Sequence, residues 1–178
     1  VRPLELDINS DAGVDAVLPA LLGEVGAVDV LVNNAGFGLW GPVQSLSLEQ
    51  VKLVFETNFF AAVRLINALL PAMVARRRGT IVNVSSVVGR LAPPFNGAYA
   101  ATKFALEGMS EALRTEVWPF GVRVALVEPG VVRTDFAARS VVGERARSPG
   151  SVYAAYLERY DRLHTRFLRS PHDPVKVA

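Results

Sequence analysis

Apolar and polar positions alternate along the chain in a rhythm of short and long segments. Pro3-Leu4-Glu5-Leu6-Asp7-Ile8 alternates with period two and predicts a short strand. Asn9 to Asp11 can cap a helix running to about Gly26, with Pro19 expected to kink it. Ala27-Val28-Asp29-Val30-Leu31-Val32 is apolar and β-branched, which predicts a strand buried on both faces. Ser47-Leu48-Glu49-Gln50 has the spacing of a capping box and opens a long helical stretch to about Arg78. Inside that stretch Asn58, whose short amide competes for backbone hydrogen bonds, marks a kink. Arg76-Arg77-Arg78 before Gly79 reads as cations at a helix C-terminus followed by a glycine cap.

Thr80-Ile81-Val82-Asn83-Val84 predicts the next buried strand and delivers Ser85 and Ser86 at its carboxyl end. A helix carrying Tyr99 and Lys103 then runs to about Trp118, closed by Pro119 and Gly121. Val122 to Val127 is a further strand, ending at Glu128-Pro129-Gly130. This order predicts an α/β fold, a parallel sheet with helices on both faces. In such sheets ligands sit at the carboxyl ends of the strands, where Asn33 to Gly36, Ser86 and Pro129-Gly130 all fall. Residues 134 to 151 are rich in Arg, Ser and Gly and are expected to be mobile. Val152 to Leu168 predicts a helix with Tyr153, Tyr156, Leu157, Tyr160, Leu163 and Phe167 on one stripe, expected to be core or a subunit contact. Pro171 stops it, and Asp173-Pro174-Val175-Lys176 reads as the first turn of another helix.

Composition narrows the class. A chain of 178 residues, 51% hydrophobic and 20% charged, is one compact domain's worth and not a disordered protein. The net charge of +2 gives no reason to expect a nucleic-acid partner. With no cysteine, disulfides and thiolate metal sites are excluded; His164 and His172 lie in no metal-ligand pattern, so no metal is expected. No apolar run in the sequence reaches the length of a membrane span, and a cytoplasmic location is expected. The first residue is Val1 and not Met, which suggests a segment upstream.

The candidate chemistry centres on Tyr99 and Lys103. Four residues apart, they share a helix face. A phenol with an ordinary pKa near 10 becomes a useful base at neutral pH only beside a positive charge, which Lys103 is placed to supply. Ser86 adds a hydroxyl that could hold a substrate oxygen. Tyr-x-x-x-Lys alone is more often a solvated helix face, so context decides.

That context is a set of motifs in order and spacing: Asn33-Asn34-Ala35-Gly36, Asn58, Ser86, Tyr99 with Lys103, and Pro129-Gly130-Val131-Val132-Arg133-Thr134. Together they resemble the short-chain dehydrogenase/reductase family, nicotinamide-dependent oxidoreductases of Rossmann type. Pro94-Phe95-Asn96 through Phe104-Ala105-Leu106-Glu107-Gly108 resembles its steroid and retinol dehydrogenase branch. The resemblance implies a doubly wound Rossmann-type domain over residues 1–178, with 134–170 as a substrate-loop region. It implies hydride transfer between NAD or NADP and an alcohol or ketone. Tyr99 would be the general acid/base, Lys103 would lower its pKa and hold the nicotinamide ribose, and Ser86 would hold the substrate oxygen. Asn58 would kink its helix and hold a water in a relay to Lys103. Asn33, Ala35 and Gly36 would lie beside the adenosine end, Asp7 and Ile8 near the adenine. Pro129, Gly130, Val132 and Thr134 would meet the nicotinamide. Phe37, Leu39, Trp40, Pro93, Phe95 and Phe136 could line an apolar substrate pocket, ordinary core being the alternative.

The sequence departs from the family at both ends. No Gly-x-x-x-Gly-x-Gly turn follows a strand, so the phosphate cradle, the first two strands and the residue choosing NAD or NADP are missing, as is the last strand. The chain therefore reads as the middle of a longer enzyme, whose parent is expected to be a homodimer or homotetramer through the helices over 47–78 and 99–118. In a sheet ordered 3-2-1-4-5-6-7, the loss leaves the Val28 to Val32 strand as an exposed apolar edge. The rival readings are a non-catalytic dinucleotide-sensing or interaction module, and a lyase or epimerase using the same Tyr and Lys.

Overall fold

The structure, a computed structural model, describes residues 2–143, 145–148 and 150–167. The first helix, α1 (Asp11–Val25), starts where Ser10 Oγ accepts the Gly13 N–H at 3.1 Å and ends at Gly26, whose φ of 75° only a glycine adopts freely. After β1 (Val30–Asn33) and the short β2 (Leu39–Trp40) comes α2 (Leu48–Phe55), with both halves of the predicted capping box made between Ser47 and Gln50. A single wide π-turn over Glu56–Phe60 joins it to α3 (Ala61–Ala75). Then follow β3 (Gly79–Val84), α4 (Gly97–Val117), β4 (Val122–Val127), α5 (Phe136–Arg139), β5 (Val141–Val142) and α6 (Ala154–Phe167).

The main sheet has the order β1-β3-β4, all parallel, in a register that aligns Leu31 with Ile81 and Ile81 with Val124. Those three side chains point to one face and meet Val14 and Leu18 of α1, Ile66, Leu69 and Met73 of α3, and Leu113 and Val117 of α4 in a single core. Each successive strand is added in the same direction, so right-handed crossovers place α3 and α4 on the same side. The expected helices on both faces are therefore met on one face only among the described residues. On the other face Val30 and Val32 are 54% and 55% exposed, and Arg123 and Ala125 also meet solvent. The stretch expected to be a strand buried on both faces buries only Leu31, and the expected exposed apolar edge is present.

Other expectations need correction. Pro3 to Ile8 forms no strand: period-two alternation is not enough without a neighbouring ladder to receive its N–H and C=O groups. The segment is held instead by Leu6 on the core, by the Ile8 carbonyl accepting from Arg64 Nη1 at 2.8 Å, and by Asn9 donating to Thr57 Oγ1 at 3.0 Å. At the end of α3 the left-handed residue is Arg77 (φ 52°), not Gly79; its N–H bonds the Val74 carbonyl and that of Arg78 bonds Met73, the Schellman pattern without a glycine. Gly79 is needed for space, since a Cβ there would lie 2.6 Å from Met73 Cγ. Within residues 134–151 lie α5 and β5, and β5 pairs in parallel with β2.

The stripe on α6 is also only partly as expected. Leu157 is buried and Tyr160 packs edge-on against Phe95, but Tyr156 faces solvent. The side chains of Leu163 and Phe167, together with Pro171 and the turn at Asp173 to Lys176, lie outside what is described. Finally, α2, the π-turn and α3 form one helical run, Leu48–Ala75, that by length and composition is apolar enough to cross a membrane. It nonetheless carries an ion pair between Arg64 and Glu56 at 2.8 Å and sends Ile66, Leu69 and Met73 into the core.

Candidate functional site

The carboxyl ends of β1, β3 and β4 converge beside the middle of α4. β3 is the reason: it is central, and the polar Asn83 inside an otherwise apolar strand ties its neighbours together. Asn33 Nδ2 donates to Asn83 Oδ1 and Asn83 Nδ2 donates to Ser110 Oγ, each at 2.8 Å; Ser110 Oγ donates to the Leu106 carbonyl at 2.6 Å. The chain of bonds fixes β1, β3 and α4 relative to one another. Asn33 Oδ1, however, is buried without a partner.

Asn58, 2% exposed, sits in the π-turn and clamps the segment after β1. Its Oδ1 accepts the Phe37 N–H at 3.0 Å, and its Nδ2 donates to the Phe37 carbonyl at 2.9 Å and to Thr102 Oγ1 at 3.2 Å. Thr102 Oγ1 in turn donates to the Tyr99 carbonyl at 2.7 Å. The wide turn is what brings this amide within reach of both the segment after β1 and α4. Gly36 is required by the approach, because a Cβ there would stand 2.9 Å from Asn58 Oδ1.

Tyr99 and Lys103 are both on the buried side of α4, 6% and 5% exposed. Lys103 Nζ donates to the Val84 carbonyl at 2.8 Å and lies 5.8 Å from the centroid of the Tyr99 ring. Burial pushes the Lys103 ammonium down to about 8, against a partial upward pull from Glu107. Burial also pushes the Tyr99 phenol above its ordinary value, and a hydrogen bond from Ser86 draws it part of the way back. The net shift on Tyr99 in this arrangement is upward, where a lowering by Lys103 was expected. Ser86 Oγ also contacts the Pro129 carbonyl at 3.4 Å and accepts from Val88 N–H at 3.3 Å, and Phe136 covers the Tyr99 ring with centroids 5.6 Å apart.

A cavity of about 140 Å³ brings together Ile8, Asn33, Ala35, Asn58 and Lys103 among the residues the sequence singled out. Gly36 adjoins it through Asn58; Ser86, just after β3, acts on the Tyr99 phenol and contacts the Pro129 carbonyl. Val132, half-buried, and Gly130, exposed, follow Pro129 outside that lining, and Thr134 Oγ1 caps α5 through the Phe136 N–H at 3.3 Å. Asp7 is exposed, with its carboxylate turned to the Asn9 N–H. Leu39 belongs to a small core with Leu46, Val54 and Ala98, and Phe37 packs against it, so these two are not free pocket walls. Sequence reasoning passed over Asn83, Thr102, Ser110 and Glu107. The available signal was polar residues at core spacing: Asn83 within an apolar strand, and Lys103, Glu107 and Ser110 on the stripe of α4 that also carries Leu106, Leu113 and Val117.

Comparison with known proteins agrees with this geometry. The short chain dehydrogenase family pattern matches residues 1–145. Retinol dehydrogenase 8 of Bos taurus is 51% identical over 181 residues, covering 97% of this chain and 57% of that protein. A short-chain dehydrogenase from Streptomyces avermitilis superposes with a TM-score of 0.86 at 36% identity, over 98% of this chain and 62% of that one. The closed form of a serine dehydrogenase complexed with NADP+ gives 0.74 at 34% identity, over 77% of this chain and 56% of that one. The chain spans about half the length of the curated relatives it matches.

Proposed function

The chain belongs to the short chain dehydrogenase family, and on that premise we propose that it carries the acid/base half of an NAD(P)-dependent oxidoreductase acting on a hydrophobic alcohol or ketone. The observation that carries this reading is the joining of Ser86, Tyr99 and Lys103, from two elements, at the carboxyl ends of the strands beside a cavity. The residues present suit a nicotinamide dinucleotide: Asn33 Oδ1 is a buried acceptor without a partner on the cavity wall, and Lys103 Nζ offers donors on the same wall. Gly36 keeps the backbone bare nearby. The cofactor supplies the hydride acceptor or donor, and this chain moves the proton.

Tyr99 gives its phenolic proton to a carbonyl oxygen in reduction and takes one from a hydroxyl in oxidation, with Ser86 holding the same oxygen. Burial holds the phenol in its protonated form, the form that can give a proton to a carbonyl oxygen. Asn33, Ala35 and Ile8 are assigned to the cofactor side. Pro129, Gly130, Val132 and Thr134 lead into α5 and Phe136, and are assigned to the nicotinamide and substrate side. The apolar Phe136 over Tyr99, Phe95 against Tyr160, and the likeness to a retinol dehydrogenase support a hydrophobic substrate. The helical run Leu48–Ala75 and α4 are assigned to the contact of a homodimer or homotetramer, since Leu48, Leu53, Phe60 and Phe104 are exposed on them.

The test is to exchange this chain for the matching segment of the bovine relative and follow nicotinamide absorbance with a hydrophobic ketone and with a small polar one. Turnover of the hydrophobic ketone is expected. Dinucleotide binding with no turnover of either would favour the rival, a non-catalytic dinucleotide-sensing module.

A further inference from the structure

A second buried charge stands behind Lys103. Glu107 lies one turn further along α4, is 3% exposed, and neither of its oxygens takes a hydrogen bond. Among the described residues its ion pair is with Arg90 Nη2 at 3.1 Å, from the loop after β3. Arg90 is shared: it also meets Glu111 Oε1 at 3.0 Å and Glu128 Oε1 at 3.1 Å, both on the solvent side. Three carboxylates about one guanidinium leave a surplus of negative charge, and the buried member of the three is the one that lies one turn from Lys103 on α4. The wall opposite is bare. A Cβ at Gly89 would stand 3.2 Å from Glu107 Oε1 and 2.6 Å from Ser85 Oγ, and Ser85 Oγ is itself buried without a partner.

A carboxylate costs several kcal/mol to bury unless something compensates it. Lys103, Arg90, Glu111 and Glu128 are the charged groups about it; Lys103 and Glu111 each lie four residues away on the same helix, and Lys103 is the only one of the four that is also buried. Lys103 in turn has the Val84 carbonyl as its hydrogen-bond acceptor and Glu107 as the one anion acting on it. We propose that Glu107 is a positioning residue that keeps the Lys103 side chain a cation beside Tyr99 at neutral pH. The proposal rests on the reading that Lys103 serves Tyr99, and it extends that reading by one residue: Tyr99, Lys103 and Glu107 form a ladder on one face of α4, each one turn from the next.

The charge of Lys103 can be read without cofactor or substrate, so failure here is separable from failure of the oxidoreductase reading. The chain has three lysines, Lys52, Lys103 and Lys176, so side-chain carbon-13 labelling gives a spectrum in which the outer two are assigned by substitution with arginine. The wild-type Lys103 midpoint is expected near 8. In Glu107→Gln it should fall by about one pH unit, a roughly tenfold loss of ammonium over amine at fixed pH, and Glu107→Asp should restore most of it. Arg90→Gln, which leaves Glu107 less neutralised, should move the midpoint upward. A purely structural role for Glu107 would lower the melting temperature and leave the midpoint in place. An unmoved midpoint in folded Glu107→Gln overturns the proposal. Should that variant fail to fold, Arg90→Gln decides: an upward shift supports the proposal, and none or a downward one refutes it.

Discussion

The two faces of the three-stranded sheet are built from the same strands and have opposite fates. On the helix-covered face Leu31, Ile81 and Val124 are buried, and the same alternation places Asn83, hydrogen-bonded at both Oδ1 and Nδ2, beneath the site. On the open face Val30 and Val32 are as apolar and as β-branched, yet more than half exposed. Side-chain chemistry does not separate them. Topology does, because crossovers that always step in one direction deposit their helices on one side. Function follows the covered face: Tyr99, Lys103 and Asn58 all reach the strand ends from helices of that side.

The comparison is broken most severely by emptying the covered face. Ile81→Ala removes a fully buried side chain at the centre of the core and is expected to cost about 3–4 kcal/mol by denaturant unfolding. The second effect is one of pH. Lys103 is deprotonated near 8 in the folded chain and near 10.5 unfolded, so between these values the unfolded chain holds more protons and stability rises with pH, by at most about 3 kcal/mol. Above pH 10 the raised Tyr99 pKa acts in the opposite sense, so the clean window is pH 8 to 10. Thermal melts across it should show the rise in wild type and lose it in Lys103→Met. Next in size, Asn83→Ala leaves Asn33 Nδ2 without its acceptor and is expected to cost about 2 kcal/mol, read in the same unfolding assay. Smallest is Val30→Lys with Val32→Glu on the open face. Stability should stay within about 0.5 kcal/mol, while light scattering on concentration should fall, because an exposed apolar edge strand invites edge-to-edge pairing.

Much of this was legible in the sequence where local chemistry decides. Ser47 and Gln50 announce their capping box, Asn58 its break in a helix, and Tyr99 with Lys103 their shared face, because each depends on residues within one or two turns. The strands at Thr80 to Val84 and Val122 to Val127 were legible from their apolar runs. What escaped depends on distant partners. Pro3 to Ile8 has the alternation of a strand but no ladder to join, and Arg77 takes the left-handed turn beside a glycine that would do so more easily. Val141 and Val142 find Leu39 and Trp40 across a hundred residues. At the site, the sequence supplied Lys103 and Tyr99 but not the balance between them, which desolvation sets, nor Glu107, whose importance appears only once Arg90 is seen shared among three carboxylates.

The most direct measurement for the central claim compares Tyr99 with Tyr99→Phe in the chain exchanged into its bovine relative, recording both turnover and dinucleotide affinity. Loss of one hydroxyl at a buried general acid/base should lower kcat on the order of a thousandfold while leaving cofactor Kd nearly unchanged. Equal turnover in the phenylalanine variant would contradict the account, and Tyr99 would then be a core residue of α4 and nothing more.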